Sequence, residues 1–445
     1  MLRYMKKAAG LLFAAAMCLI FTGCLSVTAD ELYQLPKASE GYVRIQQKIS
    51  EIQSGGAEYA APVSGYFRQA IQLRDIDGDG TEEAVAFFRT KGDKPLKIYL
   101  LKETENSYEI AAAIEGDGTA VDSVSYVDMN GDGCCEIIVG WQMSSSVKMM
   151  GIYSIKDYQP VQLATCGYSA YTSTDMDGDG TDEVIALQTG TVDSPGSAVM
   201  YMLMDDGEVV NYQAALSASA ESISRTQTGL LADRKNGVFV DSVCGSGLVT
   251  DVLAFTHNEL VNVTLESETQ CSVAERPYTV YSTDINSDGF IEIPEPVALY
   301  PQSETTYYAI KWNTCTSRGF ISAKLTTYHN YSDGWYLIIP EEWTESVTIR
   351  REDGISGERA VVFSKVITPG DEDTDPVIED FLKIYSLTGD NKEDKADTEG
   401  RFILRRESEK IYAASLMDST DDTVTEQYIR DNFRIIHSDW LSGTI

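Results

Sequence analysis

Four short segments of this chain share one pattern, and that pattern limits the folds open to it more than any other feature. They are Asp75-Ile-Asp-Gly-Asp-Gly-Thr-Glu-Glu83, Asp128-Met-Asn-Gly-Asp-Gly-Cys-Cys-Glu136, Asp175-Met-Asp-Gly-Asp-Gly-Thr-Asp-Glu183 and Asp284-Ile-Asn-Ser-Asp-Gly-Phe-Ile-Glu292. They align without gaps, and the first three run straight into an apolar, strand-forming stretch. Their starts lie 53, 47 and 109 residues apart. The last interval is about twice the others, so a degenerate copy is expected inside it. Phe239–Asp251 is the candidate, because it keeps the order strand, glycine loop, strand but has lost the acidic ligands. A repeat of about 50 residues is the size of one four-stranded propeller blade.

The chemistry of the repeat follows from its spacing. In the first copy Asp75, Asp77 and Asp79 stand at positions 1, 3 and 5, Gly80 permits a sharp turn at position 6, and Glu83 closes the loop at position 9. The carbonyl of Thr81 at position 7 is expected to point inward. A loop that wraps one way turns alternate side chains toward its centre. Six to eight oxygens in a flexible shell suit calcium; magnesium needs a stricter octahedron. Zinc and copper favour His and Cys ligands. The same set is expected from Asp128, Asn130, Asp132, the Cys134 carbonyl and Glu136. It recurs in Asp175, Asp177, Asp179, the Thr181 carbonyl and Glu183, and in Asp284, Asn286, Asp288, the Phe290 carbonyl and Glu292. An EF-hand is excluded at the fourth copy, because Pro294 and Pro296 forbid an immediate exiting helix. Without a cation, four or five like-charged oxygens would crowd each loop. The ion is therefore expected to be structural, pinning a turn between strands.

The rest of the chain divides around this array. Arg3, Lys6 and Lys7 precede an apolar run, Ala8 to Phe21, which is short for a membrane span. The run ends in Phe21-Thr22-Gly23-Cys24, which resembles a bacterial lipobox with Phe21 in the place of the usual Leu. Residues 1–23 thus read as a lipoprotein signal peptide and Cys24 as the lipidated residue. Residues 24–56 read as a tether and a short amphipathic helix, with Tyr42, Ile45, Ile49 and Ile52 at helical spacing before Gly55-Gly56. Residues 57–330 form the strand-rich repeat array. From 331 to 445 the loops cease, and strands followed by a helix over 424–433, capped by Thr423, suggest a small α+β domain. Six cysteines remain beyond Cys24, with no metal-binding spacing among them.

Asp-x-Asp/Asn-Gly-Asp-Gly-x-x-Glu followed by an apolar strand resembles the FG-GAP repeats of α-integrin-type propellers, called VCBS repeats in bacteria. The resemblance covers residues of about 57 to 330 and implies a mainly β fold: a β-propeller with calcium loops near the blade edges, here followed by the α+β domain. The chain carries 69 acidic against 35 basic residues, a net charge of −34, which excludes nucleic acid as a partner. Only His257, His329 and His437 are present, and no nucleophile elbow, zinc-protease or phosphate-loop motif occurs. Trp141, Trp312, Trp335 and Trp343 read as core anchors rather than a sugar platform. The expectation is an extracytoplasmic, lipid-anchored binding module for a cell-surface protein or glycan, and not an enzyme. The alternatives are a polysaccharide hydrolase or lyase and a structural envelope component.

Overall fold

The computed structural model describes residues 40–191, 194–300, 306–367, 376–417 and 424–436. The signal segment, Cys24, Thr423 and His437 lie outside the described residues. The fold is mainly β, and the described residues form six antiparallel sheets that follow one another in chain order, save that the last strand returns to the fifth. The first contains Glu58–Tyr59, Ile71–Arg74, Glu83–Arg89, Leu96–Glu103 and Tyr108–Gly116. The second is Ala120–Val127, Glu136–Gln142, Lys148–Ser154 and Val161–Gly167; the third is Ala170–Thr174, Glu183–Gln188, Ser197–Leu203 and Val209–Ala215. The fourth runs Ser222–Leu230, Asn236–Cys244, Gly247–Thr256 and Glu259–Asn262, with Glu275–Arg276 added to it. The four main strands of each form an up-and-down meander in which neighbours in sequence are neighbours in space, with Glu58–Tyr59 added beside Glu83–Arg89 and Glu275–Arg276 beside Gly247–Thr256.

Alternation of side chains glues the sheets together. The second strands of the meanders read as nearly continuous apolar runs because both their faces are covered. Along Glu83–Arg89, Ala84, Ala86 and Phe88 face a helix, while Val85 and Phe87 face the second sheet. In that sheet Ile137, Val139 and Trp141 turn back toward the first, and Ile138 turns toward the third. Val184 and Ala186 meet Ile138, whereas Ile185 and Leu187 meet Val238 and Val240 of the fourth sheet. Phe239 then packs with Ile293 of the fifth. Among the described residues no hydrophobic cluster joins the first sheet to the sixth. The free face of the first is covered by the helix Glu40–Ser54, whose Ile45 and Ile49 are buried on it as the helical spacing requires. Gly56, at φ 88°, ends that helix.

The fifth sheet changes the expected domain boundary. Its strands are Glu292–Ala298, Tyr308–Thr316, Gly319–Asn330, Trp335–Ile339 and Phe433–Ile435. Asn330 pairs directly with Trp335, so a boundary between 330 and 331 falls inside one hairpin. The sixth sheet, Val347–Ile355, Glu358–Ile367, Val377–Thr388, Lys410–Leu416 and Phe402–Arg406, shares a core with the fifth through Tyr328, Trp335, Phe363 and Phe381. The described residues between 331 and 436 thus continue the stack of sheets. The composition shift there reflects lost loops, not a lost architecture. The closing helix spans Glu426–Asn432 and is capped by Thr425, whose hydroxyl accepts from Tyr428 N at 3.1 Å. Pro294 and Pro296 lie on an edge strand, where a missing N–H costs no ladder bond.

The degenerate copy also lies elsewhere than expected. Phe239–Asp251 is the hairpin between the second and third strands of the fourth sheet. The segment that occupies the loop position is Leu231–Lys235, which joins Ser222–Leu230 to Asn236–Cys244. It begins 56 residues after Asp175 and 53 before Asp284, which restores the period. A glycine-containing hairpin in a strand-rich segment imitates the repeat in one dimension.

In place of a loop, the fourth sheet has a buried ion pair. Asp241 and Arg276 are both fully enclosed, 2.9 Å apart, and Ser282 donates both its N–H and its hydroxyl to the Asp241 carboxylate at 3.0 Å. Removing one partner of such a pair leaves the other charge buried and uncompensated. Asp241→Ala is expected to destabilise the fold by about 3–5 kcal/mol in urea unfolding while leaving bound metal unchanged.

Candidate metal centres

The four acidic loops have one hydrogen-bonded geometry. The position 1 aspartate straps the turn with both oxygens. Asp75 accepts from Gly78 N at 2.8 Å and Gly80 N at 2.9 Å; Asp128 from Gly131 N at 2.8 Å and Gly133 N at 3.0 Å. Asp175 accepts from Gly178 N at 2.6 Å and Gly180 N at 3.1 Å; Asp284 from Asp288 N at 3.0 Å and Gly289 N at 2.8 Å. The residue at position 3, Asp77, Asn130, Asp177 or Asn286, accepts from the N–H at position 5. The position 5 aspartate, Asp79, Asp132, Asp179 or Asp288, accepts from the N–H of Thr81, Cys134, Thr181 or Phe290. Each loop is closed by its glutamate. Glu83, Glu136, Glu183 and Glu292 accept from the N–H at position 2, at 3.0, 3.1, 2.7 and 3.2 Å.

Position 2 is a part of the motif that spacing arguments overlooked. Ile76, Met129, Met176 and Ile285 are all buried, which moors each loop to the core beneath it. The signal was present, since an apolar residue stands there in every copy. Position 4 requires left-handed backbone. Gly78 has φ 72°, and a Cβ on it would lie 2.6 Å from the Gly133 carbonyl oxygen, so glycine is needed there for both reasons. Ser287 adopts the same conformation at φ 62°, a strain of about 1–2 kcal/mol for a residue with a Cβ. The loops also touch in series. Cys135 N donates to Ile76 O at 2.9 Å, Asn236 Nδ2 to Asp175 O at 2.6 Å, and Ile291 N to Leu230 O at 3.2 Å. They therefore line one edge of the stack.

Two of the loops gather three carboxylates, with oxygens within 4.8 Å of one another: Asp75, Asp77 and Glu83, and Asp175, Asp177 and Glu183. The other two have asparagine at position 3, whose amide also donates to Asp132 at 3.3 Å or Asp288 at 3.0 Å. Burial, then the neighbouring aspartates, pushes the closing glutamates up: Glu136, Glu183 and Glu292 each to about 7. The donor set is carboxylate and amide oxygen, which fits a hard divalent cation.

The first and third loops have the same ligands and opposite surroundings. Lys102 Nζ stands 2.7 Å from Asp77 Oδ2 and 3.3 Å from Asp79 Oδ2. Tyr158 donates its hydroxyl to Asp77 at 2.6 Å and to Glu83 at 3.0 Å. Burial raises the Asp77 pKa, but Lys102, Tyr158 and the Asp79 N–H outweigh it and hold the group below its usual range. Asp177 is instead pushed up, by burial and by Asp179 and Asp175. Beside the third loop lie Asp205 and Asp206 rather than a lysine. A metal must displace the ammonium from the first loop, whereas it relieves repulsion in the third.

Other candidates do not converge on a site. The four singled-out tryptophans are buried in the core. His329 is enclosed, which pushes its pKa down to about 3, and His257 is exposed in a hairpin turn. Cys134, Cys135, Cys166, Cys244, Cys271 and Cys315 are all free thiols. No protein-family model and no curated protein matches the chain.

Two outcomes follow from the electrostatics. In chelator, Glu136, Glu183 and Glu292 keep protons up to about pH 7 when folded and release them near the ordinary value of about 4.3 when unfolded. The native state then binds more protons, so these groups lower stability as pH rises through that window. A bound cation competes with the same protons. The gap in Tm between calcium and chelator is therefore expected to widen from about pH 5 to about pH 7 and then level off. Secondly, Lys102→Met is expected to tighten cation binding at the first loop by roughly tenfold or more, read by calorimetric titration.

Proposed function

We propose that the chain is a calcium-loaded, extracytoplasmic binding protein held to a membrane by lipid on Cys24. Its sheets are blades of an FG-GAP-type array, a propeller-like arrangement in which calcium clips join the first two strands of a blade. The observation that carries this reading is that in all four loops, of different side-chain composition, the first aspartate accepts from the N–H at position 6 and the closing glutamate from the N–H at position 2. Calcium is favoured over magnesium because asparagine and aspartate interchange at position 3 and the loops line an exposed edge, which suits a flexible shell of variable charge. Support for blades comes from the four-stranded meanders, the period of about 50 residues and the face-to-face packing of consecutive sheets.

In this reading the ions stabilise and the surfaces between the loops recognise. The ligand is a cell-surface protein or glycan. Nucleic acid is disfavoured by the charge of −34, which bound calcium offsets only in part.

Metal analysis of the purified full chain tests it. Calcium retained through dialysis, and a fall in Tm of about 5 °C or more in chelator, are the expected results. Asp177→Ala should remove about one calcium per chain, since it takes a carboxylate from a three-carboxylate loop with no lysine beside it. A calcium-free protein that melts identically in chelator would sink the proposal.

A further inference from the structure

A polar cleft of about 440 Å³ opens between the second and third sheets, within the size range of small-molecule sites. Three backbone features shape it. The strand Ala120–Val127 shifts register between Val121 and Ser123, which re-aims Asp122 as bulges do. Gly140 pairs with Ser123; a Cβ on it would stand 2.0 Å from the Tyr168 hydroxyl oxygen and 2.6 Å from Ser123 Oγ. Nothing larger than glycine fits there with Tyr168 in place. The segment after Glu58–Tyr59 crosses to the edge of the second sheet, where Val63 N donates to Val121 O at 3.1 Å and Ser64 N to Asp122 O at 2.7 Å. That crossing carries Tyr66 to the cleft, 93% exposed.

The walls are charged but balanced. Asp122 is 4% exposed, accepts from the Tyr168 hydroxyl at 2.7 Å and pairs with Lys148 Nζ at 2.9 Å. Burial, and behind it the Asp122 carboxylate, holds the proton on Tyr168. The Tyr171 hydroxyl lies 3.1 Å from Ser125 Oγ. The cleft thus offers a carboxylate acceptor, an ammonium donor and several hydroxyls that do both. An anionic ligand is repelled by a chain of net charge −34. A cationic one finds Asp122 already neutralised. A neutral ligand rich in hydroxyls matches the walls donor for acceptor, and its C–H face can lie on an exposed aromatic ring.

We propose that this cleft binds a neutral saccharide, with Asp122 and Lys148 holding ring hydroxyls and Tyr66 stacked on the sugar face. This inference rests on the binding role proposed above and names its ligand class. It is independent of the acidic loops, since none of these residues belongs to them.

The test is calorimetric titration of the calcium-loaded full chain with neutral gluco-, galacto-, manno- and xylo-oligosaccharides. Saturable binding of at least one is expected. Tyr66→Ala should weaken it roughly tenfold without changing Tm or calcium content, because the ring is exposed. Lys148→Met should weaken it at least as much. The proposal is overturned if no oligosaccharide binds or if Tyr66→Ala binds as well as the parent chain. A protein ligand captured equally by the parent and Tyr66→Ala, with no saccharide bound, would also overturn it and would leave the broader binding role standing.

Discussion

Carboxylates that capture the backbone of their own turn are the interaction on which this architecture hangs. In each acidic loop a single aspartate accepts two N–H groups and a glutamate eight residues later accepts a third. Those bonds satisfy polar backbone that no sheet can reach, and they give a tight reversal between two buried strands. They also crowd negative charge at one edge. Burial first, and that crowding behind it, push the closing glutamates up. The first and third loops gather carboxylates closely enough to hold a metal ion, and at the first Lys102 already answers part of the charge.

The same geometry explains how the sheets join. A loop that returns the chain next to itself makes an antiparallel pair, and its second strand becomes the middle of a meander. Alternate residues on that strand then face the sheets before and after it. Continuous apolar runs such as Glu83–Arg89 and Glu136–Gln142 are the consequence. Where the acidic loop is lost, in the fourth sheet, other polar contacts take over. Asp233 accepts from the backbone and hydroxyl of Ser317, and Asp241 is matched by Arg276. The repeat architecture therefore persists where the acidic loop is lost. It requires every turn to have its polar groups answered.

The proposed saccharide site is separate from the repeated acidic motif. The acidic loops lie along one edge, whereas the polar cleft lies between sheets. The cleft depends on residues with no common spacing: a bulge at Asp122, a glycine at 140 and a tyrosine at the end of a crossing segment. The four tryptophans are core, as their reading as strand anchors expected, and the ring exposed at the cleft is that of Tyr66. An aromatic residue is assigned to core or surface by its neighbours rather than by its type.

Much of the fold was legible from local rules. Positions 1, 3, 5 and 9 of each loop, the strands that follow the first three and the amphipathic helix all follow from contacts within a few residues. Asp241 was legible only as an acid without a loop, because its meaning lies in Arg276, 35 positions away. The boundary at 330 failed because composition changes there while the hydrogen-bonded hairpin does not. The vacant repeat was misplaced because a glycine hairpin resembles a loop until strand pairing is known. By itself the sequence determined the mainly β class and the chemistry of the acidic turns, since both are set by side chains near one another along the chain. Only the tertiary structure decided which charges are answered, where the stack continues and what lines its cleft, since those depend on groups that meet through space.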